Sequence, residues 1–256
     1  MKRVIGTFLA VCIIFGGLVG CSSSDEGPQY CDQEFLTALT KGLSARWDTA
    51  AKEGETEEEY YSRLVATELS KIESYASQPF EDTKLQEKAV SYINLLKDQE
   101  EALTYINVDY IKYSEMWEKA YNARSLAIVD FINEYELTFP AKYEDTVKEF
   151  MTNAKLVEEN QQLESQVQQM ADTIVFELVS KSYGWADYEA VIENITDKTF
   201  ENFNVDINLL DEDGIILETA YAWVENFAPG KKAKLEFSTD TAFESYEIVI
   251  DYYVSE

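Results

Sequence analysis

The sequence predicts an α+β protein in which an N-terminal bundle of about five helices is followed by a C-terminal antiparallel β-sandwich. Three observations indicate this fold class. No glycine occurs between Gly54 and Gly184, and only Pro79 and Pro140 interrupt that stretch, as expected for helices joined by short turns. Apolar residues in the same stretch recur every three or four positions. Toward the C-terminus they instead alternate with polar residues, which is typical of strands with one solvated face.

The first three helices are indicated by their apolar spacing. Their stripes are Phe35, Leu39, Leu43 and Trp47; Tyr61, Leu64, Val65, Leu69, Ile72 and Ala76; and Leu85, Ala89, Tyr92 and Leu96. The second helix begins with Thr56 followed by Glu57–Glu59, which predicts a capping box between Thr56 and Glu59. We therefore interpret this acidic run as a helix start favoured by the helix dipole, rather than as a cation site.

A fourth helix is predicted from Val108 to Tyr135, and a fifth from Pro140 to Asp172. The fifth carries an apolar stripe in alternating steps of four and three, which is coiled-coil spacing. That stripe is Leu156, Asn160, Leu163, Val167, Met170 and Ile174. Because it is shorter than the three or four heptads a coiled coil needs, packing against its own bundle is favoured. The alternatives are a stalk that stands clear of the bundle and a surface that pairs with a partner.

The strands are indicated by alternation. Every odd residue from Phe203 to Leu209 is apolar, and the next segment mirrors this with Ile215, Leu217, Tyr221 and Trp223 on one face. Asp213-Gly214 between them predicts a tight hairpin. Further strands are predicted at residues 188–192, at 235–237 after the Pro229-Gly230 turn, and at 246–252, with a sixth if residues 175–179 join. This number of short strands predicts an antiparallel sandwich.

The composition is strongly acidic, with 21 Lys and Arg against 49 Asp and Glu and a net charge of −28. Such a field repels nucleic acid, whose binders need clustered basic residues, so that class of partner is excluded. The chain is 46% hydrophobic and 13% aromatic, which is too rich for a disordered acidic tail. A folded body with an acidic surface is therefore predicted.

The N-terminus has the layout of a secretory signal. Lys2 and Arg3 precede an uncharged run that ends in small residues, and Ser22–Glu26 follow it. A retained membrane helix would usually end in Lys or Arg instead. Leu18-Val19-Gly20-Cys21 resembles the lipobox of bacterial lipoproteins, and this resemblance implies that Cys21 is acylated on sulfur and becomes the first residue after cleavage. Two acyl chains give stable anchoring, so a lipid-anchored protein on the extracytoplasmic face of the cell membrane is predicted.

The C-terminal region resembles the FxLYD domain of bacterial surface lipoproteins. The resemblance covers residues 188–237 and rests on Glu193-Asn194-Ile195-Thr196, Ile207-Asn208-Leu209-Leu210-Asp211, Asp213-Gly214 and Pro229-Gly230-Lys231. Ile207 and Leu210 stand where that pattern has phenylalanine and tyrosine, while Leu209 and Asp211 match. It implies a small extracytoplasmic β-sandwich and supplies no catalytic residue.

These features divide the chain into a signal peptide at 1–20, a tether at 21–30, a helical domain at 31–172 and an FxLYD-like domain at 173–256. Removal of the signal peptide would shift the net charge to −30, since only Lys2 and Arg3 are lost. The nine residues from Ser22 to Tyr30 reach about 30 Å at most, which predicts a bundle close to the membrane. With Cys12 removed and Cys21 acylated, Cys31 has no disulfide partner and is interpreted as a small apolar residue.

The acidic hairpin that contains Asp211 and Asp213 does not have the ligand spacing of an EF-hand calcium loop. Placing Gly214 at position six of an EF-hand loop puts Leu209 at position one and Ala220 at position twelve, neither of which is a suitable ligand. A tight turn is favoured, with a weak surface cation site at Asp211 and Asp213 as the alternative. No other metal site and no cofactor are predicted.

Catalysis is not predicted. The chain has no histidine, which removes the usual base of Ser-His and Cys-His systems and a preferred zinc ligand. It has no Gly-x-Ser-x-Gly motif, no Ser-x-x-Lys motif and no phosphate-binding glycine loop. A glycosidase-like carboxylate pair cannot be located by spacing among so many acids.

Two functions from different classes remain. The favoured one is a non-catalytic surface lipoprotein that binds a protein or another component of the cell envelope. The alternative is a receptor for a small ligand, such as a sugar or peptide, in an aromatic pocket built from the many tyrosines of the helical domain. A deep aromatic pocket would favour the receptor, and a flat apolar patch would favour the protein partner.

Overall fold

The computed structural model describes residues 29–255, and this part of the chain has the predicted fold class: five α-helices followed by six strands. The helices are α1 (Asp32–Trp47), α2 (Glu57–Ile72), α3 (Thr83–Leu103), α4 (Tyr110–Tyr135) and α5 (Glu144–Asp172). The strands are β1 (Glu177–Ser182), β2 (Trp185–Glu193), β3 (Phe200–Leu210), β4 (Ile216–Phe227), β5 (Lys232–Thr239) and β6 (Ser245–Val254). Short 3-10 turns at Glu73–Ser77 and Ala141–Tyr143 follow α2 and precede α5.

The starts of α2, α3 and α4 follow side-chain caps. The predicted capping box of α2 is present: the Thr56 hydroxyl accepts from the Glu59 amide at 3.2 Å, and the Glu59 carboxylate accepts from the Thr56 amide at 2.9 Å. Helix α4 begins at Tyr110 rather than at Val108, because the carboxylate of Asp109 caps its first turn. Helix α5 begins at Glu144, one 3-10 turn after Pro140.

The bundle core lies between α1, α2, α3 and α4, with Phe150 of α5 added at its edge. Phe35 of α1 is fully buried, and its ring meets those of Tyr75, Phe80 and Phe131 at centroid distances of 5.6 to 5.9 Å. Cys31 closes the same end of the bundle, where its amide donates to the Pro79 carbonyl. The chain therefore enters the bundle beside the C-terminal end of α4.

Helix α5 contributes to two cores, which the predicted stripe only partly describes. Its first half packs on the bundle through Phe150, Ala154 and Val157, whereas Leu156, the first residue of the predicted stripe, is 52% exposed. Its last turns pack into the sandwich through Val167 and Met170. Between these contacts, residues 158–162 are exposed on every side of the helix.

The sandwich consists of two three-stranded antiparallel sheets, ordered β1-β2-β5 and β4-β3-β6. Their inner faces meet in one core with the end of α5, whose members include Ile192, Phe200, Phe203, Val205, Ile207, Leu209, Leu235 and Phe237. The sixth strand anticipated near residues 175–179 is present as β1, and its side chains are exposed along its whole length.

The face of β4 that carries the large apolar residues is the outer one. Tyr221 and Trp223 are 60% and 63% exposed, while Ala220, Ala222 and Phe227 point into the core. Ala220 and Ala222 lie opposite Ile207 and Val205 of β3, whose larger side chains fill that part of the core. Leu217, Tyr221 and Trp223 thus share one face, as the sequence predicts, and this face of β4 is the exposed one, since small residues are the ones that fit beneath a filled central strand.

Asn194, which directly follows β2, joins two turns of the sandwich and is fully buried. Its Nδ2 donates to the carbonyls of Lys198 and Phe227 at 2.9 and 2.7 Å, and its Oδ1 accepts from the amide of Thr196 at 2.9 Å. Its carbonyl accepts from the Gly230 amide at 2.8 Å. One buried amide side chain thus holds the turn after β2 against the Pro229-Gly230 turn.

Candidate functional site

The predicted lipidation residue Cys21 lies outside the described residues, as do the signal peptide and most of the tether. Cys31 is described, and it is buried against the bundle core. Burial and the neighbouring Asp32 carboxylate raise the pKa of the Cys31 thiol. A buried thiol with a raised pKa is a poor nucleophile, in agreement with its interpretation as a core residue.

Asp211 and Asp213 occupy the hairpin between β3 and β4. Asp211 Oδ1 accepts from the amides of Asp213 and Ile215 at 3.0 and 2.9 Å, and its carbonyl accepts from the Gly214 amide at 3.1 Å. Gly214 has a φ of 79°, which suits glycine. The Asp211 carboxylate thus organises the turn. Within residues 29–255, no group of three or more acidic or Cys side chains is placed to hold a metal ion.

A cluster of charged and polar side chains, absent from the sequence-based predictions, lies at the centre of the bundle. This buried charge cluster consists of Arg46, Glu68, Tyr92, Gln99 and Arg124, all of which are buried. The Glu68 carboxylate accepts from Arg46 Nη1 at 3.1 Å, from Arg124 Nη2 at 2.6 Å and from the Tyr92 hydroxyl. Gln99 Oε1 accepts a second contact from Arg46 Nη1 at 3.1 Å.

The electrostatics of this cluster are set by burial. Burial, together with the charge of Arg124, lowers the pKa of Arg46 to about 10, while Glu68 opposes that change. Burial also raises the pKa of Tyr92 well above its ordinary range, and the Glu68 carboxylate adds to this. Since all five side chains are shielded from solvent, the cluster joins α1, α2, α3 and α4 and presents no group to a substrate.

A pH dependence follows from the buried tyrosines. Burial raises the pKa of Tyr113 to about 12, and Tyr92 is shifted in the same direction. Both keep their protons in the folded state at a pH where the unfolded chain releases them, so their contribution is complete below pH 10 and is lost as the pH rises further. We expect the free energy of unfolding, measured by urea denaturation, to fall between about pH 10 and about pH 12, and Tyr113→Phe to make that fall shallower. An unchanged slope in Tyr113→Phe would contradict this assignment.

The most distinctive exposed surface is the outer face of the β4-β3-β6 sheet, called the outer face below. The register places Trp223 opposite Asn204 and Tyr221 opposite Asp206, with Asp251 and Val249 on the far side of β3. Its outward residues are Asn202, Asn204, Asp206 and Asn208 of β3, Leu217, Thr219, Tyr221, Trp223 and Glu225 of β4, and Glu247, Val249, Asp251 and Tyr253 of β6. Tyr221 and Trp223 on one edge and Tyr253 on the other thus flank a central row of polar side chains.

The described grooves on the bundle contrast with this surface. A groove of about 570 Å³ beside the α4–α5 connection includes Leu137, Phe139 and Met151, and its only aromatic side chain is Phe139. Tyr92, Tyr113 and Tyr143, which could have lined an aromatic pocket, are buried in the bundle. A more aromatic pocket of about 450 Å³ lies at one end of the sandwich, between Tyr183, Trp185, Tyr188 and Phe243.

No described helix has the length and apolarity needed to span a membrane. No family model matches the sequence, and no curated protein matches it.

Proposed function

We propose that this chain is a non-catalytic, lipid-anchored lipoprotein of the extracytoplasmic cell surface, whose sandwich binds a protein or another envelope component. The anchor is the acylated Cys21 implied by the lipobox resemblance. The observation that best supports a presenting role is the position of the sandwich, which lies at the opposite end of the bundle from the point where the tether enters.

That arrangement follows from the direction of α5. Ile132, near the C-terminal end of α4, shares a groove with Val147, whereas Asn153 contacts Asn122 and Ser125 further up α4 at 3.3 and 3.0 Å. Helix α5 therefore runs antiparallel to α4, away from the end where Cys31 enters the bundle. The 29 residues of α5 span about 44 Å at 1.5 Å per residue. An anchor at the tether would thus leave the sandwich on the side away from the membrane.

The anchor is tested by replacing Cys21. In cells of the source organism, the Cys21→Ser variant is expected to lose acyl labelling and to leave the membrane fraction, because the acyl chains supply the membrane affinity. Cys31→Ala is the matched control and should remain in the membrane fraction. Intact-mass measurement of the native protein should show a mature chain that begins at an acylated Cys21. An unmodified Cys21, or a leader still attached, would overturn the proposal.

The presenting role has its own test. A photo-crosslinking residue placed at Tyr221 on the outer face is expected to capture a partner in living cells, and the same residue at Val191, exposed on the other sheet, is the control. Equal capture at both positions would argue against the outer face as the binding surface.

A further inference from the structure

We propose that the outer face binds a segment of a partner protein rich in lysine and arginine. This inference rests on the proposed function, in which the sandwich presents a binding surface, and it specifies the chemistry of the partner.

The outer face carries carboxylates and no cation. Asp206, Glu225, Glu247 and Asp251 all point outward, and none of the outward positions of this sheet is Lys or Arg. Within the described chain, none of these four carboxylates forms a salt bridge or accepts a side-chain hydrogen bond. Asp206 and Asp251 are diagonal neighbours on β3 and β6, since Asp251 lies opposite Asn204 and Asp206 opposite Val249. Their like charges repel each other, so an external cation would lower the free energy of this part of the surface.

On the β1-β2-β5 sheet of the same sandwich, several acidic side chains have partners within the sheet. Glu189 pairs with Lys234 at 3.1 Å and Glu193 with Lys232 at 3.5 Å, each pair lying across neighbouring strands. Asp187 accepts from the hydroxyls of Ser180 and Ser238 at 2.5 and 2.6 Å. Glu189, Glu193 and Glu236 of that sheet are thus paired with lysines of the same sheet. The absence of such pairs on the outer face is therefore a property of that face rather than of the acidic composition alone.

The aromatic side chains next to these acids favour a cationic side chain over a simple ion. Tyr221 lies opposite Asp206, and Trp223 lies opposite Asn204, which in turn pairs with Asp251. A guanidinium group can stack on an exposed indole or phenol ring while it donates hydrogen bonds to a nearby carboxylate. The exposed Val249 and Tyr253 on the opposite edge add apolar contact for the stems of long basic side chains.

Other ligand chemistries fit this surface less well. An anionic polymer would meet four carboxylates and a chain of net charge −28. A neutral glycan could stack on Trp223 and Tyr221 and bond to the asparagines, but it would leave the four carboxylates without a counter-charge. A basic segment uses both the rings and the acids, and the net charge of the protein would steer it toward the surface.

The experiment uses the purified full chain in detergent and a fluorescent peptide of alternating arginine and glycine, with binding followed by anisotropy. Wild type should bind, and its affinity should fall as salt rises from about 0.05 M to about 0.5 M, since exposed charges are screened over that range. The double variant D206N/D251N should bind about tenfold more weakly at low salt, and Trp223→Ala about tenfold more weakly as well. The control E189Q/E193Q makes the same charge change on the other sheet and should differ from wild type by less than about twofold.

Each alternative outcome is decisive. Equal weakening by the two double variants would indicate attraction to a general polyanion and overturn the proposal. Trp223-dependent binding of an N-acetylglucosamine oligomer in place of the basic peptide would assign the face to a glycan. Binding of neither probe would also overturn it. The intact mass of the chain in the same preparation shows whether Cys21 is acylated. This tests the proposed anchor independently, because peptide binding does not require the acyl chains.

Discussion

Replacement of Glu68 by alanine is expected to lower the free energy of unfolding by about 3–5 kcal/mol, the usual cost of leaving buried charges without their partner. Glu68 is fully buried and is the only carboxylate bonded to both Arg46 and Arg124 in the described chain. Its removal leaves two guanidinium groups in the bundle core with no counter-charge, and it also leaves the Tyr92 hydroxyl without its acceptor. Urea denaturation followed by helical circular dichroism measures the loss.

Glu73→Ala is the matched control for this variant. Glu73 forms a salt bridge with Lys97 at 3.2 Å, but both side chains are about half exposed, so its removal should change the stability by less than about 1 kcal/mol. A Glu68→Ala loss as small as that of Glu73→Ala would show that the buried charge cluster is not desolvated in solution.

A combined replacement distinguishes the destabilisation caused by an unpaired charge from the net contribution of the cluster to the free energy of unfolding. Substituting Arg46, Glu68, Tyr92, Gln99 and Arg124 together by Met, Leu, Phe, Leu and Met removes every polar partner at once. The stability of this variant should exceed that of Glu68→Ala, because buried ion pairs can often be replaced by apolar residues without net loss. If the combined variant is instead the less stable of the two, the cluster contributes favourable interactions beyond charge compensation.

The sequence predicts the bundle well because α1 to α4 each have a continuous apolar stripe and because α2 also has a recognisable capping box. It does not predict the buried charge cluster, since charged residues are ordinarily assigned to the solvated face. A positional signal for the cluster does exist. Arg46 lies three residues after Leu43, Glu68 three after Val65, Gln99 three after Leu96, and Arg124 four before Ile128. Polar residues at stripe positions on four separate helices are therefore the pattern that could have indicated a shared interior cluster.

The sandwich was predicted in its strand number and in most of its alternation, but the orientation of β4 was not. Alternation fixes which residues share a face but not which face is buried. The core beneath β4 is already filled by Val205 and Ile207, so the small Ala220 and Ala222 lie there, and the face with the larger side chains is the exposed one. The outer face, which is the candidate binding surface, could therefore be identified only once the two sheets were paired.

The role of α5 also depended on tertiary structure. The stripe from Val167 to Ile174 has the spacing of a helix face, but this spacing does not show that it belongs to a different core from Phe150 and Ala154. Both halves of α5 have helical apolar spacing. Residues 158–162 between them are polar and exposed on all sides of the helix, whereas an ordinary amphipathic helix is exposed on one side only. A helix shared by two cores thus has the sequence pattern of one amphipathic helix whose apolar stripe is interrupted.

Met170→Ala tests this division and is expected to lower the stability of the sandwich by about 2–5 kcal/mol, the range for removal of a buried methionine side chain. Met170 is almost completely buried, in the last turn of α5, among the residues of the sandwich core. Met151→Ala makes the same substitution on the exposed part of the bundle half of α5. It should change the stability by less than about 0.5 kcal/mol.

The measurement must distinguish the two cores, and their separate spectroscopic signals allow this. Helical circular dichroism reports mainly on the bundle, while the fluorescence of Trp185 and Trp223 reports on the sandwich once Trp47 and Trp117 are replaced by phenylalanine. Residues 158–162, between the two cores, are exposed. Met170→Ala should therefore shift the midpoint of the fluorescence transition to a lower denaturant concentration and leave the midpoint of the helical transition nearly unchanged. Equal shifts of both transitions would mean that α5 transmits the loss along its continuous backbone hydrogen bonds. The bundle and the sandwich would then unfold as one cooperative unit, despite their separate apolar interiors.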